Sequence, residues 1–291
     1  MFEQLGLIGC GLMGGSFALA LKNAGLVKRV VGYSKSPSTT ERARKMGIID
    51  IEAPSALLAV SGADIVLIAV PVAATEASFK AIRHLVTPDM LIMDVGSTKQ
   101  DVVEAARRSL REHLDLFVPA HPIAGKEVSG VEHSDANLYV GKQVILTPTE
   151  RTAAPQLQKA TEVWSRLGCQ VVTMSPAQHD AAFASVSHLP HLLAFALMNG
   201  ISGQPQGQEF LSLAGPGFRD FSRIAASDPK VWRDILLSNR EEVLAQSQLF
   251  QRSLQALEAM ISGNDAQGLE SLIEQASRTR AQWSMNSRNK S

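Results

Sequence analysis

Two polar side chains that could handle a proton follow neighbouring apolar runs of the sequence. Ser97 stands in DVGSTK, directly after the run MLIMDVG, and His121 follows LDLFVPA, which predicts a short buried strand ending at Ala120. If both runs belong to one parallel sheet, Ser97 and His121 lie at the same edge and can touch. The hydroxyl would then fix the imidazole tautomer, and the histidine would take a proton as a hydride leaves. The alternative is a structural histidine.

A glycine pattern at the start of the chain has the spacing of a dinucleotide-binding loop. Gly9, Gly11 and Gly14 form GxGxxG between the apolar run LGLIG and a helical pattern. In this context the three glycines allow a tight turn, a close approach of the backbone to a pyrophosphate, and close packing of helix against sheet. The run ADIVLIAVP (63–71) predicts another strand, whose end should lie at the same edge.

The end of the second predicted strand, RVVGY, bears on the choice of cofactor. A loop that prefers NAD usually has an acid about 20 residues after the glycines, which holds the ribose hydroxyls. Here Ser34, Lys35 and Ser36 offer hydroxyl and ammonium groups, which can hold a 2′-phosphate that a carboxylate would repel. We therefore predict NADP, with NAD as the alternative if Lys35 is an ordinary surface lysine. The predicted cofactor contacts are Gly9, Gly11, Leu12, Met13, Gly14, Ser34, Lys35, Ser36, Val70 and Pro71.

The distribution of apolar runs predicts two domains. Over residues 1–173, short apolar runs with little alternation are separated by helical patterns, which predicts a Rossmann-type, doubly wound, mostly parallel α/β sheet. Over residues 174–291 helical spacing dominates, which predicts an all-helical domain. Its broad apolar surfaces exceed what ~115 residues bury internally. We therefore favour a dimerisation domain and a homodimer over a self-contained bundle.

Composition narrows the class of partner. The 291 residues carry 28 Lys plus Arg and 28 Asp plus Glu, without a basic stripe, which disfavours nucleic acid. Apolar runs are short, and the first residues lack the pattern of a signal peptide, so no membrane partner is predicted. Cys10 and Cys169 have no metal-type spacing, which fits a reducing cytoplasm.

The helical region contains histidines at a spacing that places them on one face. His188 and His191 in SHLPH are three residues apart, with Pro190 between them expected to kink the helix. A zinc site would need a third ligand that the sequence does not offer, so we predict no metal and a substrate pocket instead. The upstream pair His179-Asp180 is predicted to be a packing or interface pair.

Two arginines stand one helical turn apart in GPGFRDFSRIAASDP. The guanidinium groups of Arg219 and Arg223 could bind carboxylates bidentately, whereas an ion pair with Asp220 or Asp228 is the alternative. Two arginines and two histidines at a predicted domain junction indicate an anionic substrate.

These motifs together resemble the prephenate and arogenate dehydrogenases of tyrosine biosynthesis. The resemblance covers nearly the whole chain and rests on GLIGCGLMGGS, DVGSTK, HPIAGKEVSG, LTPTE, SHLPH and GFRDFSRIAASDP, in that order. It implies a Rossmann domain with a helical dimerisation domain, a homodimer with two sites, and NAD(P)-dependent oxidative decarboxylation of an anionic cyclohexadienol.

The resemblance also implies roles for individual residues. His121 would be the base that takes the proton of the ring C4 hydroxyl, with a pKa near working pH, and Ser97 would orient it. Arg223 would bind a substrate carboxylate and His191 the substrate side chain. The predicted substrate-binding residues are Arg223, His191, Ser187, His188 and Arg219.

Several alternatives stay open from the sequence. Prephenate is favoured slightly over arogenate, and use of both is compatible with the motifs. A β-hydroxyacid dehydrogenase would need a catalytic lysine, for which Lys230 is the main interior candidate in the helical region. A third possibility is an NADP sensor without turnover, which would not need Ser97, His121 and Arg223 together. No mutase or regulatory domain is recognised, which predicts the minimal monofunctional form.

Overall fold

Six parallel strands form the first sheet of the protein. A computed structural model describes residues 1–126 and 128–284. The strand order is β3-β2-β1-β4-β5-β6, so the direction of winding reverses between β1 and β4. The strands are β1 (Phe2–Ile8), β2 (Val27–Tyr33), β3 (Ile51–Glu52), β4 (Ile65–Ile68), β5 (Leu91–Asp94) and β6 (Phe117–Val118). The connecting helices are α1 (Leu12–Asn23), α2 (Pro37–Lys45), α3 (Ala56–Val60), α4 (Thr75–Ile82) and α5 (Gln100–Leu110).

Both faces of this sheet are buried, which explains the continuous apolar runs of the sequence. Successive residues of a strand point to opposite faces. In β4, Ile65 and Leu67 belong to the apolar cluster that contains Phe17 of α1, whereas Val66 and Ile68 belong to the cluster that contains Phe79 of α4. The predicted Rossmann-type doubly wound sheet is thus confirmed.

A second, three-stranded sheet follows, and it changes the expected position of His121. The run LDLFVPA does not form one strand that stops at Ala120: β6 ends at Val118, and β7 (Ala120–Pro122) begins after Pro119. β7 pairs antiparallel with β8 (Gln143–Leu146), which pairs in parallel with β9 (Gln170–Thr173), and α6 (Ala154–Arg166) joins β8 to β9. Pro122 is tolerated because β7 is an edge strand. His121 therefore lies in the middle of a strand.

The remainder of the described chain is helical, as expected. The helices are α7 (Pro176–Phe183), α8 (Leu189–Ser202), α9 (Gly207–Ser212), α10 (Pro216–Ser222), α11 (Pro229–Ser238), α12 (Arg240–Ser262) and α13 (Ala266–Gln282). The backbone contacts define two compact units, Met1–Glu242 and Val243–Ser291.

One helical stretch qualifies as a candidate membrane span, although the sequence predicted no membrane segment. Among the described residues, Pro176–Ser202 is long and apolar enough to cross a membrane by length and composition alone. A single such stretch is weak evidence, because helices of soluble proteins pass the same test. This stretch also holds His179, His188 and His191.

Candidate active site

The glycine loop has the geometry that close approach of a dinucleotide requires. Gly9 has φ +98°, and a Cβ there would lie 2.2 Å from the carbonyl oxygen of Ala69. A Cβ on Gly14 would lie 2.0 Å from the carbonyl oxygen of Gly9, so helix α1 packs directly on the loop. A Cβ on Gly11 would meet no atom within 4 Å, which leaves that backbone open to a ligand. The loop therefore fits a bound pyrophosphate at the start of α1.

A cleft of about 720 Å³ opens beside this loop. It lies where the strand order reverses, the position at which doubly wound sheets bind ligands. Predicted residues that line it are Gly11, Leu12, Met13, Val70, Pro71 and Ser97. Residues between 226 and 235 also line it, among them Trp232 and Asp234, which were not predicted from the sequence.

The predicted ribose-binding residues lie at the carboxyl end of β2. The hydroxyl oxygen of Ser34 accepts a hydrogen bond of 2.8 Å from the backbone N–H of Cys10, which ties the end of β2 to the glycine loop. Lys35 and Ser36 are exposed, and the hydroxyl oxygens of Ser36 and Ser38 are 2.9 Å apart. The Cys10 thiol is buried, which raises its pKa to about 11 and keeps it protonated.

His121 is held by a residue that the sequence analysis assigned to packing. Nδ1 of His121 lies 2.8 Å from Nε2 of His179, and Nδ1 of His179 lies 2.7 Å from Oδ1 of Asp180. Phe183 stacks on the ring of His179 and also contacts the ring of His121. The pair His179-Asp180 is therefore joined to His121 by hydrogen bonds, and it is His179, not Ser97, that is bonded to Nδ1 of His121.

The surroundings of His121 oppose its protonation. Burial lowers its pKa well below the usual value, and so do the charge of Lys99 and the charges that His179 and His188 would carry if they were protonated. Burial likewise lowers the pKa of His179, although the hydrogen bond to Asp180 acts in the opposite direction. At neutral pH both imidazoles are uncharged, so His121 can accept a proton.

A buried ion pair fixes the backbone next to His121. Lys99 and Asp94 are both buried, and Nζ of Lys99 bonds to Oδ2 of Asp94 and, at 2.9 Å, to the carbonyl oxygen of Ala120. Oδ1 of Asp94 accepts the N–H of Ala120 at 3.0 Å. Asp94 at the end of β5 and Lys99 just before α5 thus hold the two backbone groups of Ala120, the residue that precedes His121. Lys99 was noted in the sequence only as part of DVGSTK.

Of the two predicted substrate-binding histidines, His188 ends a π-helical turn, Ala184–His188, that joins α7 to α8, and His191 lies in the first turn of α8. Nδ1–H of His191 donates to the carbonyl oxygen of Ser187 at 2.9 Å, and the His191 ring stacks on Trp232 with 3.5 Å between centroids. His188 is buried, and its Nδ1 accepts a hydrogen bond of 3.1 Å from Nδ2 of Asn239. The structure therefore leaves His191 half-buried and His188 enclosed.

The two predicted arginines differ in position. Arg219 on α10 is exposed and pairs with Asp220 at 3.3 Å, which is the alternative that the sequence left open. Arg223 begins a short 3₁₀ segment, Arg223–Ala226, whose end borders the cleft. Burial lowers the pKa of His191, and the charge of Arg223 contributes to this, so the two side chains are near each other.

Known proteins resemble this chain over both regions. A family model for the nucleotide-binding domain of prephenate dehydrogenase matches residues 17–173, and one for its dimerization domain matches residues 175–275. The chain is 35% identical to prephenate dehydrogenase of Bacillus subtilis, with 92% of this chain and 73% of that protein covered. It is 33% identical to cyclohexadienyl dehydrogenase of Zymomonas mobilis, with 96% of each covered.

A solved structure shows the same fold. It is that of prephenate dehydrogenase from A. aeolicus in complex with hydroxyphenyl propionate and NAD+, which matches with a TM-score of 0.90 and 38% identity. The match covers 97% of this chain and 98% of that chain. With the glycine loop, the cleft and both domain matches in agreement, the chain belongs to the prephenate dehydrogenase family and is an oxidoreductase.

Proposed function

We propose that this enzyme converts prephenate to 4-hydroxyphenylpyruvate and CO2 in tyrosine biosynthesis, with reduction of NAD(P). Family membership supports the reaction class. The observation that carries the assignment to this chain is the half-buried, neutral imidazole of His121, whose Nδ1 is bonded to His179 and whose Nε2 is therefore left to act. A neutral imidazole nitrogen is the group that can take a hydroxyl proton near neutral pH.

The chemistry divides between the cofactor and the chain. When bound, the oxidised nicotinamide accepts a hydride from ring C4. His121 takes the proton of the C4 hydroxyl at Nε2, so that a carbonyl can form at C4 as the hydride leaves. The bond from C1 to the carboxylate then breaks, its electrons enter the ring, and the ring becomes aromatic. Ser97, which lines the cleft, is the proposed hydrogen-bond partner of the C4 oxygen.

The anionic groups of the substrate need partners near α8 and the 3₁₀ segment. We assign a substrate carboxylate to Arg223, because a guanidinium matches a carboxylate in charge and geometry. His191 stands near Arg223 and contacts the substrate side chain, with Ser187 beside it. His188 is buried, so its proposed part is to support this surface. Arg219 stays a weaker candidate because of its exposed pair with Asp220.

Arogenate is the second candidate substrate, and one observation favours it. Because Nδ1–H of His191 donates to the carbonyl of Ser187, and the lowered pKa of His191 keeps the ring neutral, its Nε2 is a hydrogen-bond acceptor. An acceptor suits the ammonium group of arogenate, whereas the keto group of prephenate offers no donor. If this contact contributes only modestly to substrate binding, the enzyme uses both substrates.

Of the two nicotinamide cofactors, NADP is the one that we propose. Ser34, Lys35 and Ser36 follow β2 without a carboxylate, and Lys35 and Ser36 are exposed next to the first turn of α2. An ammonium, hydroxyl groups and a helix start all favour a phosphate at this position. An NAD-dependent enzyme is the alternative.

The remaining assignments concern the whole protein. We propose a homodimer through residues 174–291, because a dimerization-domain model matches there and large apolar side chains such as Leu213 are exposed. The boundary between residues 173 and 174 and a cytoplasmic location are part of the same proposal.

Absorbance at 340 nm tests the function. Prephenate and arogenate are offered in turn with NADP and NAD to the wild type, to His121→Asn and to His84→Asn, an exposed control. In His121→Asn the introduced amide keeps a donor for His179 but has no atom at the position of Nε2, so kcat should fall by about 10²–10⁴ while cofactor binding stays. His84→Asn should match the wild type.

The pH profile adds a second readout to this assay. A base with a lowered pKa keeps activity above that pKa and loses it below, so the acid limb of turnover should lie below pH 6.5. Absence of turnover with every pair, despite cofactor binding, would overturn the assignment and favour a sensor.

A further inference from the structure

Three side chains form a continuous hydrogen-bonded row that ends at His121. The two links measure 2.8 Å, from Nδ1 of His121 to Nε2 of His179, and 2.7 Å, from Nδ1 of His179 to Oδ1 of Asp180. His179 and Asp180 are 0% and 1% exposed, so water does not compete for these bonds. The rings of His121 and His179 meet edge to face, with 5.0 Å between centroids.

The charge of Asp180 decides which nitrogens carry protons. Burial would raise the pKa of Asp180, but hydrogen bonds from His179 and from the backbone N–H groups of Gln100 and Lys99 outweigh it, and the pKa is lowered. An ionised carboxylate only accepts, so Nδ1 of His179 must donate. Nε2 of a neutral His179 then has only a lone pair, so Nδ1 of His121 must donate to it. The proton of His121 is therefore on Nδ1, and Nε2 carries the free lone pair.

We propose that His179 is a positioning residue for the base of the reaction: fixed by Asp180, it holds His121 in the tautomer and the orientation that expose a basic Nε2. This inference rests on the proposed function of His121. In the reaction the hydroxyl O–H bond breaks and an N–H bond forms at Nε2, while the Nδ1 proton stays in its bond to His179. That bond strengthens when His121 becomes positively charged, so His179 favours the protonated state that follows proton transfer.

The charged groups around the row support a neutral resting state. The ammonium of Lys99, which is held by Asp94, lowers the pKa of both His121 and His179. His121 could not act as the base with its proton on Nε2, because that nitrogen would then have no lone pair for the substrate proton. A mobile imidazole would not keep Nε2 in place.

Packing alone is the competing explanation, because His179 also stacks on Phe183 with 4.4 Å between ring centroids. Two substitutions separate the roles. His179→Leu keeps apolar volume but removes the acceptor for His121. His179→Gln removes the ring as well, but its side-chain oxygen can stand near the position of Nε2 and accept the same hydrogen bond. A packing role predicts equal losses, whereas a positioning role predicts rescue by glutamine.

The experiment compares wild type, His179→Leu, His179→Gln, His121→Asn and the exposed control His84→Gln. His179→Leu should lose about 10² in kcat with KM and cofactor affinity nearly unchanged, because the lost interaction acts in the transition state. Its acid limb should move down by about one pH unit, since protonated His121 has lost its acceptor. His179→Gln should recover at least about tenfold of that kcat, with an acid limb close to that of the wild type.

Two outcomes would overturn the inference: wild-type kcat in His179→Leu, or equal losses in both His179 variants with an unmoved acid limb. A failure of the proposed function is recognised separately, as no turnover by the wild type or full turnover by His121→Asn. Long-range ¹⁵N–¹H spectra of the wild type need no turnover and should show the proton of His121 on Nδ1. A proton on Nε2 would also overturn the inference.

Discussion

The buried imidazole of His188 should make the folded protein sensitive to mild acid. His188 is 1% exposed, and burial lowers its pKa to about 4, against an ordinary value of 6.5. Nδ2 of Asn239 donates to its Nδ1 at 3.1 Å, so the folded state holds the neutral ring. Between these two pKa values the unfolded chain binds a proton at this position and the folded chain does not.

The sign and size of the effect follow from this difference in bound protons. Because the unfolded state binds more protons, the free energy of unfolding rises with pH, and the stability is lost as pH falls from 6.5 toward 4. Integration from pH 7.5 to pH 4.5, with the folded pKa at about 4, gives a loss of about 2.5 kcal/mol from this one residue. The steepest part is about 1.2 kcal/mol per pH unit near pH 5.

His188→Asn isolates this contribution. The side-chain oxygen of the introduced asparagine can take the position of Nδ1 and accept from Asn239, but the amide cannot be protonated in this pH range. The variant should be less stable at pH 7.5, because a buried ring is lost beside Trp232, yet its stability should fall less on acidification. The free-energy difference between wild type and variant should narrow by about 2.5 kcal/mol between pH 7.5 and pH 4.5.

Urea unfolding measures this difference at pH 7.5, 6.5, 5.5 and 4.5. All samples have one protein concentration, because subunit association adds to stability. Carboxylates such as Glu76, whose pKa is lowered to about 2 by its bonds to Arg108 and Lys80, begin to be protonated in the unfolded chain near pH 4.5. This effect is common to wild type and variant and cancels in their difference. The exposed control His84→Asn should follow the wild-type curve. Parallel curves for wild type and His188→Asn would refute the reasoning.

Two further predictions concern the glycine loop and the buried ion pair. Gly14→Ala should lower the melting temperature and abolish cofactor binding, because its Cβ would press on the carbonyl oxygen of Gly9. Gly11→Ala, whose Cβ meets no protein atom, should keep the melting temperature but weaken cofactor binding. Thermal melts and cofactor titration measure both effects. Lys99→Met should lower the free energy of unfolding by about 3–5 kcal/mol, because the Asp94 carboxylate stays buried without its partner. Adding Asp94→Asn should recover part of that loss in urea unfolding, and an equally unstable double variant would contradict this account.

The sequence predicts well those parts of the site that depend on strand ends. Gly11, Val70 and Ser97 each follow an apolar run, and parallel strands bring such positions to one edge of the sheet whatever the details of packing. The order of elements is therefore enough to gather them in one cleft. The break at Pro119 was missed because the stop of one strand and the start of another leave the same apolar pattern as one longer strand.

The partner of His121 could not be predicted in the same way. His121 and His179 are 58 residues apart, in an edge strand and a helix, and no spacing rule connects them. Their meeting depends on Asp180, whose two carboxylate oxygens accept the backbone N–H groups of Lys99 and Gln100 at 2.9 Å and so fix α7 against the start of α5. The adjacent residues His179 and Asp180 do not indicate this contact in the sequence, because it depends on where α5 begins in the fold.

Asp180 therefore combines two tasks that are usually separate. By accepting the first N–H groups of α5, its carboxylate satisfies donors that a helix start leaves unpaired. By accepting Nδ1–H of His179, it also sets the proton positions along the row to His121. Any substitution of Asp180 disturbs both tasks at once, so a loss of activity there would not separate them. His179 has no such bond to α5, and it is the residue at which orientation of the base can be tested apart from the joining of the two helices.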